Sequence, residues 1–580
     1  MNTIKTLKAY IGNAKIPALL TPFFVMIEVV MEVAIPYLMS RMINDGIEQG
    51  SLAVIYRDSI FLLGLALCAL IADILAGNFA ADASSRFAFN LRSALLEKVS
   101  SFSFTTIDRF SRASLITRST TDITSVQNAF QMLTRMAVRS PATLLFALFM
   151  AFRMDANLAW IFAVLLPILA LGIGLLSVRV GPLFQQIFEN YDTLTTISGE
   201  NVRAVRVVKS FVRAAYENRR FVKASQEGFR LSVKTDRMMA LFFPLMQGTT
   251  YLALLGVIYL GGRAIIKGDM QTGELVAFIA YATQILISLM MLSLVFVMLF
   301  MSRAAARRVA EVLSTEESLL SPVDGRKTID DYTITLKGAG LCYGQDERAA
   351  IKDVSLSIAP GEVVGIAGPT ASGKSSLLML LPRLYEASYG KVEIGGVDVK
   401  DYDLGMLRKN VHMVLQSPSL FCGTIAENLR RGKPSAKDDE LYAALHAASA
   451  YDFVMEAGGL SALVAEEGNN FSGGQKARLA LASALVLKPN ILILDDTTRA
   501  VDVRTNAKIQ KALRLFLPKS TILIVAQRPD TLKACDRVLF IDGGRLTYDA
   551  NHETLLKTSP RYQDLMAEGG KNDEATCTEG

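Results

Sequence analysis

Six apolar stretches, at about 18–43, 53–80, 137–154, 157–180, 240–265 and 274–302, dominate the first half of the chain. Each is long enough to cross a hydrocarbon core of about 30 Å as a helix. Within lipid every backbone N–H and C=O must be satisfied inside the segment, so the pattern leaves a helical membrane bundle as the fold. Composition agrees, because 51% of the 580 residues are hydrophobic and only 20% are charged. The first run lacks a small-residue cleavage site and reads as a retained span, not a removed signal.

Two segments between spans are basic. One carries Arg86, Arg92, Lys98, Arg109, Arg112 and Arg118; the other carries Arg203, Arg206, Lys209, Arg213, Arg219, Arg220, Lys223 and Arg230. The positive-inside bias places both, together with the N-terminus, in the cytosol of a cell (cytoplasmic or inner) membrane protein. Both keep helical apolar spacing, which predicts that the spans continue as helices beyond the bilayer. The third and fourth spans are separated by little more than 153–156, a tight outer turn, and Trp160 after it reads as an interfacial anchor. The net charge of +6 is spread along the chain, so no nucleic-acid partner is expected. Cys68, Cys342, Cys422, Cys535 and Cys577 have neither metal-ligand nor disulfide spacing.

Over 313–332 the hydropathy falls through a polar linker that contains Ser-Pro-Val-Asp-Gly at 321–325. It separates a transmembrane domain, 1–312, from a second domain, 333–567, with a polar tail, 568–580, expected to be disordered. The second domain alternates β-rich runs (362–366, 411–415, 491–494, 521–525) with helical stretches, the pattern of an α/β fold with a mainly parallel sheet.

After the first of these runs comes Gly368, Pro369, Thr370, Ala371, Ser372, Gly373, Lys374, Ser375 and Ser376, a phosphate-binding loop between strand and helix. Loop amides hold phosphate oxygens, Lys374 supplies a cation to the β- and γ-phosphates, and the Ser375 hydroxyl can ligate Mg²⁺. Downstream, an apolar strand ends in Asp495 and Asp496, carboxylates suited to the Mg²⁺ side of the same site. Between these elements lies Phe471, Ser472, Gly473, Gly474 and Gln475, ahead of a helix expected over 476–487.

This pentapeptide resembles the signature motif of ABC ATPases, which in that family presents backbone donors to the ATP held by the opposite ATPase domain. The resemblance extends to Tyr343 as the aromatic that stacks on adenine, Gln416 as the glutamine that senses Mg²⁺, and Asp502 as the D-loop aspartate. In the first half, Ser119 to Gln127 and Glu200 to Phe211 resemble the two cytosolic loops of six-helix ABC exporters, with a coupling helix expected near 104–112. The implied architecture is a six-helix membrane domain of ABC exporter type fused to an α/β P-loop ATPase, with ATP and Mg²⁺ as cofactors. Ser375, Gln416 and Asp495 are the implied metal-side residues.

The chain also departs from that family. Asp496 stands where an active ATPase has Glu, and Gln527 where it has the switch His; Ala371 replaces a loop Gly, and Glu467 replaces an Arg. Asp is one methylene shorter than Glu, and a general base misplaced by about 1 Å can lose on the order of a hundredfold in rate. An amide cannot carry the charge of an imidazolium. The signature is intact apart from Phe471 for Leu. The expectation is one half of a bacterial multidrug-type heterodimeric exporter: a weak site here, and a signature lent to a competent site on a non-identical partner. The substrate expected is small and hydrophobic or amphipathic; a siderophore-type importer half and an ATP-gated regulator or channel are the alternatives.

Glu28 and Glu32, at i and i+4 in the first span, and Asp73 in the second are ionisable groups at membrane depth. They read either as a cation-sensitive cavity or, the favoured reading, as structural hydrogen bonds between helices near the outer leaflet. Met290, Met291, Met298 and Met301 on the sixth span suit an adaptable pocket, although plain packing is the commoner role.

Overall fold

The computed structural model describes residues 3–316, 319–322, 324–343, 349–497, 499 and 501–567. The expected tail 568–580, with Cys577, and the linker positions 317, 318 and 323 lie outside the described residues. The chain divides into two compact units, Met1–Ser100 with Ala113–Thr315 and Ser101–Arg112 with Glu316–Gly580. The division falls after Thr315, where hydropathy places it after 312, because the sixth long helix runs on to Ser314 and buries Val312 and Leu313.

Among the described residues six helical runs are long and apolar enough to cross a membrane: Gly12–Ile47, Leu52–Ser100, Arg112–Met154, Ala156–Arg203, Ala214–Lys267 and Thr272–Ser314. The second run alone has 49 residues, about 70 Å of helix at 1.5 Å per residue, far more than a bilayer core requires. The tight turn between the third and fourth runs is Asp155, whose carboxylate caps the next helix by accepting from the amides of Asn157 (2.7 Å) and Leu158 (3.1 Å). Where the third run begins, Asp122 accepts from Arg308 of the sixth (2.8 Å and 2.5 Å), and Arg118 donates to Glu311 (3.0 Å).

The intramembrane carboxylates have partners that hydropathy does not show. Arg139 bridges Glu28 (2.9 Å) and Glu32 (3.1 Å), and Arg135 pairs with Asp73. Arg135 and Arg139 start the helix that ends at Met154, so about 25–30 Å of helix separates them from the tight turn. The cluster therefore sits toward the long-loop end of the spans, away from the tight turn beside which the outer-leaflet reading expects it.

The second unit is an α/β domain. Its six-stranded sheet runs, in spatial order, Arg545–Ala550, Arg537–Asp542, Val363–Ala367, Thr521–Val525, Ile491–Asp495, Val411–Val414. All neighbours are parallel except the first pair. The three central strands are buried at every residue and rich in Val, Ile and Leu, as a sheet covered on both faces demands. A four-stranded antiparallel sheet that includes Ile334–Cys342 and Ala349–Ile358 completes the domain.

Candidate nucleotide site

Parallel sheets collect ligands at the carboxyl ends of their strands. Here Val525 lies level with Ile366 on one side and Asp495 on the other. The register brings the loop from Gly368, the carboxylates Asp495 and Asp496, and Gln527 to one edge of the sheet.

The loop is shaped for close approach to an anion. Gly373 holds φ 101°, and a Cβ there would meet the Ala350 carbonyl at 2.6 Å, so only glycine fits. Ala371 occupies the left-handed region at φ 63° even though it carries a side chain. Lys374 is buried, and its ammonium donates to the carbonyls of Gly368 (2.8 Å) and Pro369 (2.6 Å) and to Ser372 Oγ (3.3 Å). Burial lowers its pKa from the usual lysine value, with Asp496 and Asp495 opposing. Thr370 is exposed at the loop tip. Ser375 Oγ donates to Asp495 Oδ1 at 2.9 Å, which puts the two proposed metal-side oxygens together.

Asp496 has left-handed backbone torsion, φ 49°, and stands 3.7 Å from the Arg499 guanidinium and 3.5 Å from Gln416 Nε2. Burial raises both Asp495 and Asp496 above the ordinary aspartate range; Arg499 opposes this at Asp496, and the Ser375 hydrogen bond opposes it at Asp495. Gln527 is half-buried at the end of its strand. A loop of glycines, a buried cation and adjacent hydroxyl and carboxylate oxygens together fit a nucleotide phosphate chain with its divalent ion.

Tyr343 donates to Ser376 Oγ at 2.8 Å, and its ring meets Tyr385 edge-on at 5.2 Å. Beside it a cavity of about 200 Å³ is lined by Thr105, Leu319, Leu341, Cys342, Tyr343 and Tyr385. Tyr385 in turn donates to Asp108 at 2.7 Å, from the helix Phe104–Phe110. Burial raises the Tyr385 phenol pKa, and Asp108 adds to the rise.

The signature residues sit apart from this edge, on the helix Gly473–Val486, which starts ahead of the expected 476. Ser472 is its N-cap, with a reciprocal capping box: Ser472 Oγ accepts from the Gln475 amide (3.3 Å), and Gln475 Oε1 accepts from the Ser472 amide (2.8 Å). Ser472 and Gly473 are exposed, so the positive helix end faces outward. Asp502 caps another helix, Val503–Phe516, by accepting from the Thr505 amide at 2.8 Å.

The family model for the ABC transporter transmembrane region matches residues 19–290, and a second family model, ABC transporter, matches 351–499. An uncharacterized ABC transporter ATP-binding protein of Mycobacterium tuberculosis is 33% identical over 92% of this chain and 92% of its own length. The ABC transporter ATP-binding protein YfiB of Bacillus subtilis is 32% identical over 95% and 96%. An ATP-dependent lipid A-core flippase of Thiobacillus denitrificans is 30% identical over 92% and 93%.

The chain belongs to the ABC transporter family. It is an exporter-type half-transporter, a multi-pass membrane protein with an ABC ATPase domain that binds ATP. Of the residues singled out in this ABC chain, the sheet edge gathers Gly368, Ser372, Gly373, Lys374, Ser375, Asp495, Asp496, Gln416 and Gln527. Ser472, Gly473, Gly474, Gln475 and Asp502 belong to separate helix ends. Three charged partners escape a motif reading: Arg499, readable only as three residues beyond Asp496, and the pair Arg135 and Arg139, whose i,i+4 spacing mirrors Glu28 and Glu32.

Proposed function

We propose that this chain is the degenerate-site half of a heterodimeric ATP-driven exporter for a small hydrophobic or amphipathic substrate. The observation that carries the reading is the contrast at the nucleotide site. Asp496 and Gln527 stand where a base and a switch imidazole are needed, while the signature helix keeps an exposed, fully capped N-terminus.

In this reading Tyr343 carries the base, and the loop from Gly368 to Ser376, including Thr370, Ala371 and Lys374, holds the phosphates. Ser375, Gln416 and Asp495 serve Mg²⁺. Asp496 is short for its task and has Arg499 nearby, and Gln527 supplies a hydrogen bond but no charge. The site holds ATP and turns it over slowly. Ser472 to Gln475, with Asp502, complete the partner's site, where hydrolysis is fast.

Docking on that partner falls to the second long loop. The short helix Val205–Ser210 is flanked by exposed Val202, Phe211 and Val212, apolar side chains that are costly in water. The basic loops and the ATPase domain lie in the cytosol, and the spans in the cytoplasmic membrane. Relatives named lipid A-core flippases support a lipid-like or drug-like cargo.

The test is ATP turnover by the purified chain, alone and with an ABC half that carries Glu and His at the two positions. The chain alone binds ATP with little turnover, and the pair is active. Symmetric-exporter turnover by the chain alone, abolished by Asp496→Asn, would refute the reading.

A further inference from the structure

The charged cluster in the membrane unit does not balance. Glu28, Glu32 and Asp73 face Arg135 and Arg139, three negative groups against two positive ones, which leaves one negative charge. Glu28 is 3% exposed, and its Oε2 is buried without a hydrogen-bond partner among the described residues. A buried acceptor left unmatched is costly, and a surplus charge at membrane depth more so.

The rim of the cluster is open, with the side chains of Glu32 and Asp73 36% and 38% exposed. Charges at this depth face water-filled space or protein, not hydrocarbon, and Glu28 lies behind this open rim. One helical turn before Glu28, Phe24 stacks on Phe79 at 5.5 Å, and both rings are partly exposed. A carboxylate oxygen in need of a cationic donor thus lies beside an aromatic surface.

We infer that Glu28 is the counter-ion of a binding site for amphipathic primary amines. The ammonium donates to Oε2 and supplies the missing positive charge, while the alkyl chain lies against Phe24 and Phe79. This names a substrate class for the export reading and rests on it.

The test is equilibrium binding of dodecylammonium and of uncharged dodecanol to the full chain in lipid nanodiscs, without nucleotide or partner. The wild type binds the amine about tenfold or more tightly than the alcohol, as one charge-assisted hydrogen bond implies. Glu28→Gln abolishes that preference and leaves dodecanol binding unchanged; Glu28→Asp retains part of it. Equal wild-type affinity for the two probes overturns the inference without needing any variant to fold, and so does a Glu28→Gln chain that still prefers the amine. Because no ATP is present, failure of the division between two nucleotide sites would leave this result untouched, and the reverse also holds.

Discussion

The phosphate-loop edge and the signature helix belong to one domain but do their work with different atoms. The edge relies on side chains whose length and charge matter: Lys374, Asp495, Asp496 and Gln527. The signature relies on backbone amides at a helix end, held ready by the Ser472–Gln475 capping box. In the proposed division, exchanging Glu for Asp and His for Gln weakens the first surface and leaves the second intact. One chain can lose turnover at its own site and still complete a partner's.

The strongest way to break this comparison is to damage each surface in turn within the assembled transporter. Gly473→Asp places a carboxylate where the partner's phosphate is expected, and steady-state ATP turnover should fall on the order of a hundredfold or more, as when a preorganised anion donor is removed. Lys374→Ala should lower turnover by less than about tenfold, because the partner's site carries the flux. The opposite ranking, measured on matched preparations, would mean that the catalytic load lies on the Lys374 edge.

Restoring the edge gives the next largest effect. Asp496→Glu combined with Gln527→His should raise hydrolysis at this chain's own site by about tenfold to a hundredfold, read as single-turnover ATP cleavage with the partner's site disabled. If the added methylene and imidazole give no gain, the brake lies elsewhere, and Arg499, 3.7 Å from Asp496, is the first residue to remove.

How much of this was legible from residue order follows from what sets each feature. The spans, the loop before Lys374 and the signature are local patterns; the structure forms the loop and the signature within a few residues of expectation, while the second and fourth spans run on as helix to Ser100 and Arg203. The signature helix begins at Gly473 and not 476 because Ser472 caps it, a start signal present in the Ser-Gly-Gly-Gln run itself. The pairing of Arg139 with Glu28 and Glu32 spans more than a hundred positions and depends on how two helices pack. Arg499 escaped because an ion pair to Asp496 depends on a turn after the strand, with Asp496 itself in a left-handed conformation.

The two surfaces should also separate by pH. Burial raises the pKa of Asp495 and Asp496, so a proton competes for these carboxylates at a higher pH than it does for an exposed aspartate. Lowering the pH from about 7.5 to about 5.5 should weaken Mg²⁺-dependent ATP binding to the chain, measured by titration calorimetry. Asp495→Asn should bind more weakly throughout and lose most of this dependence. Ser472, Gly473, Gly474 and Gln475 carry no titratable side chain, so their contribution to the partner's site should stay flat over the same range.

The smallest effect separates the surfaces by backbone torsion. Ala371 holds φ 63°, where an L side chain crowds its own backbone, so Ala371→Gly should stabilise the chain by about 0.5–1 kcal/mol and raise Tm by about 2 °C. Turnover of the assembled pair should change little, since in the proposed division this edge carries little of the flux. Gly473 is the first residue of its helix, where alanine is favoured over glycine by no more than it is in a helix interior. Gly473→Ala should therefore also raise Tm, yet lower turnover, because the new methyl group occupies space in front of amides meant for a phosphate. Equal stability gains with unequal losses of activity would show that the torsions of the two surfaces are interchangeable and their roles are not.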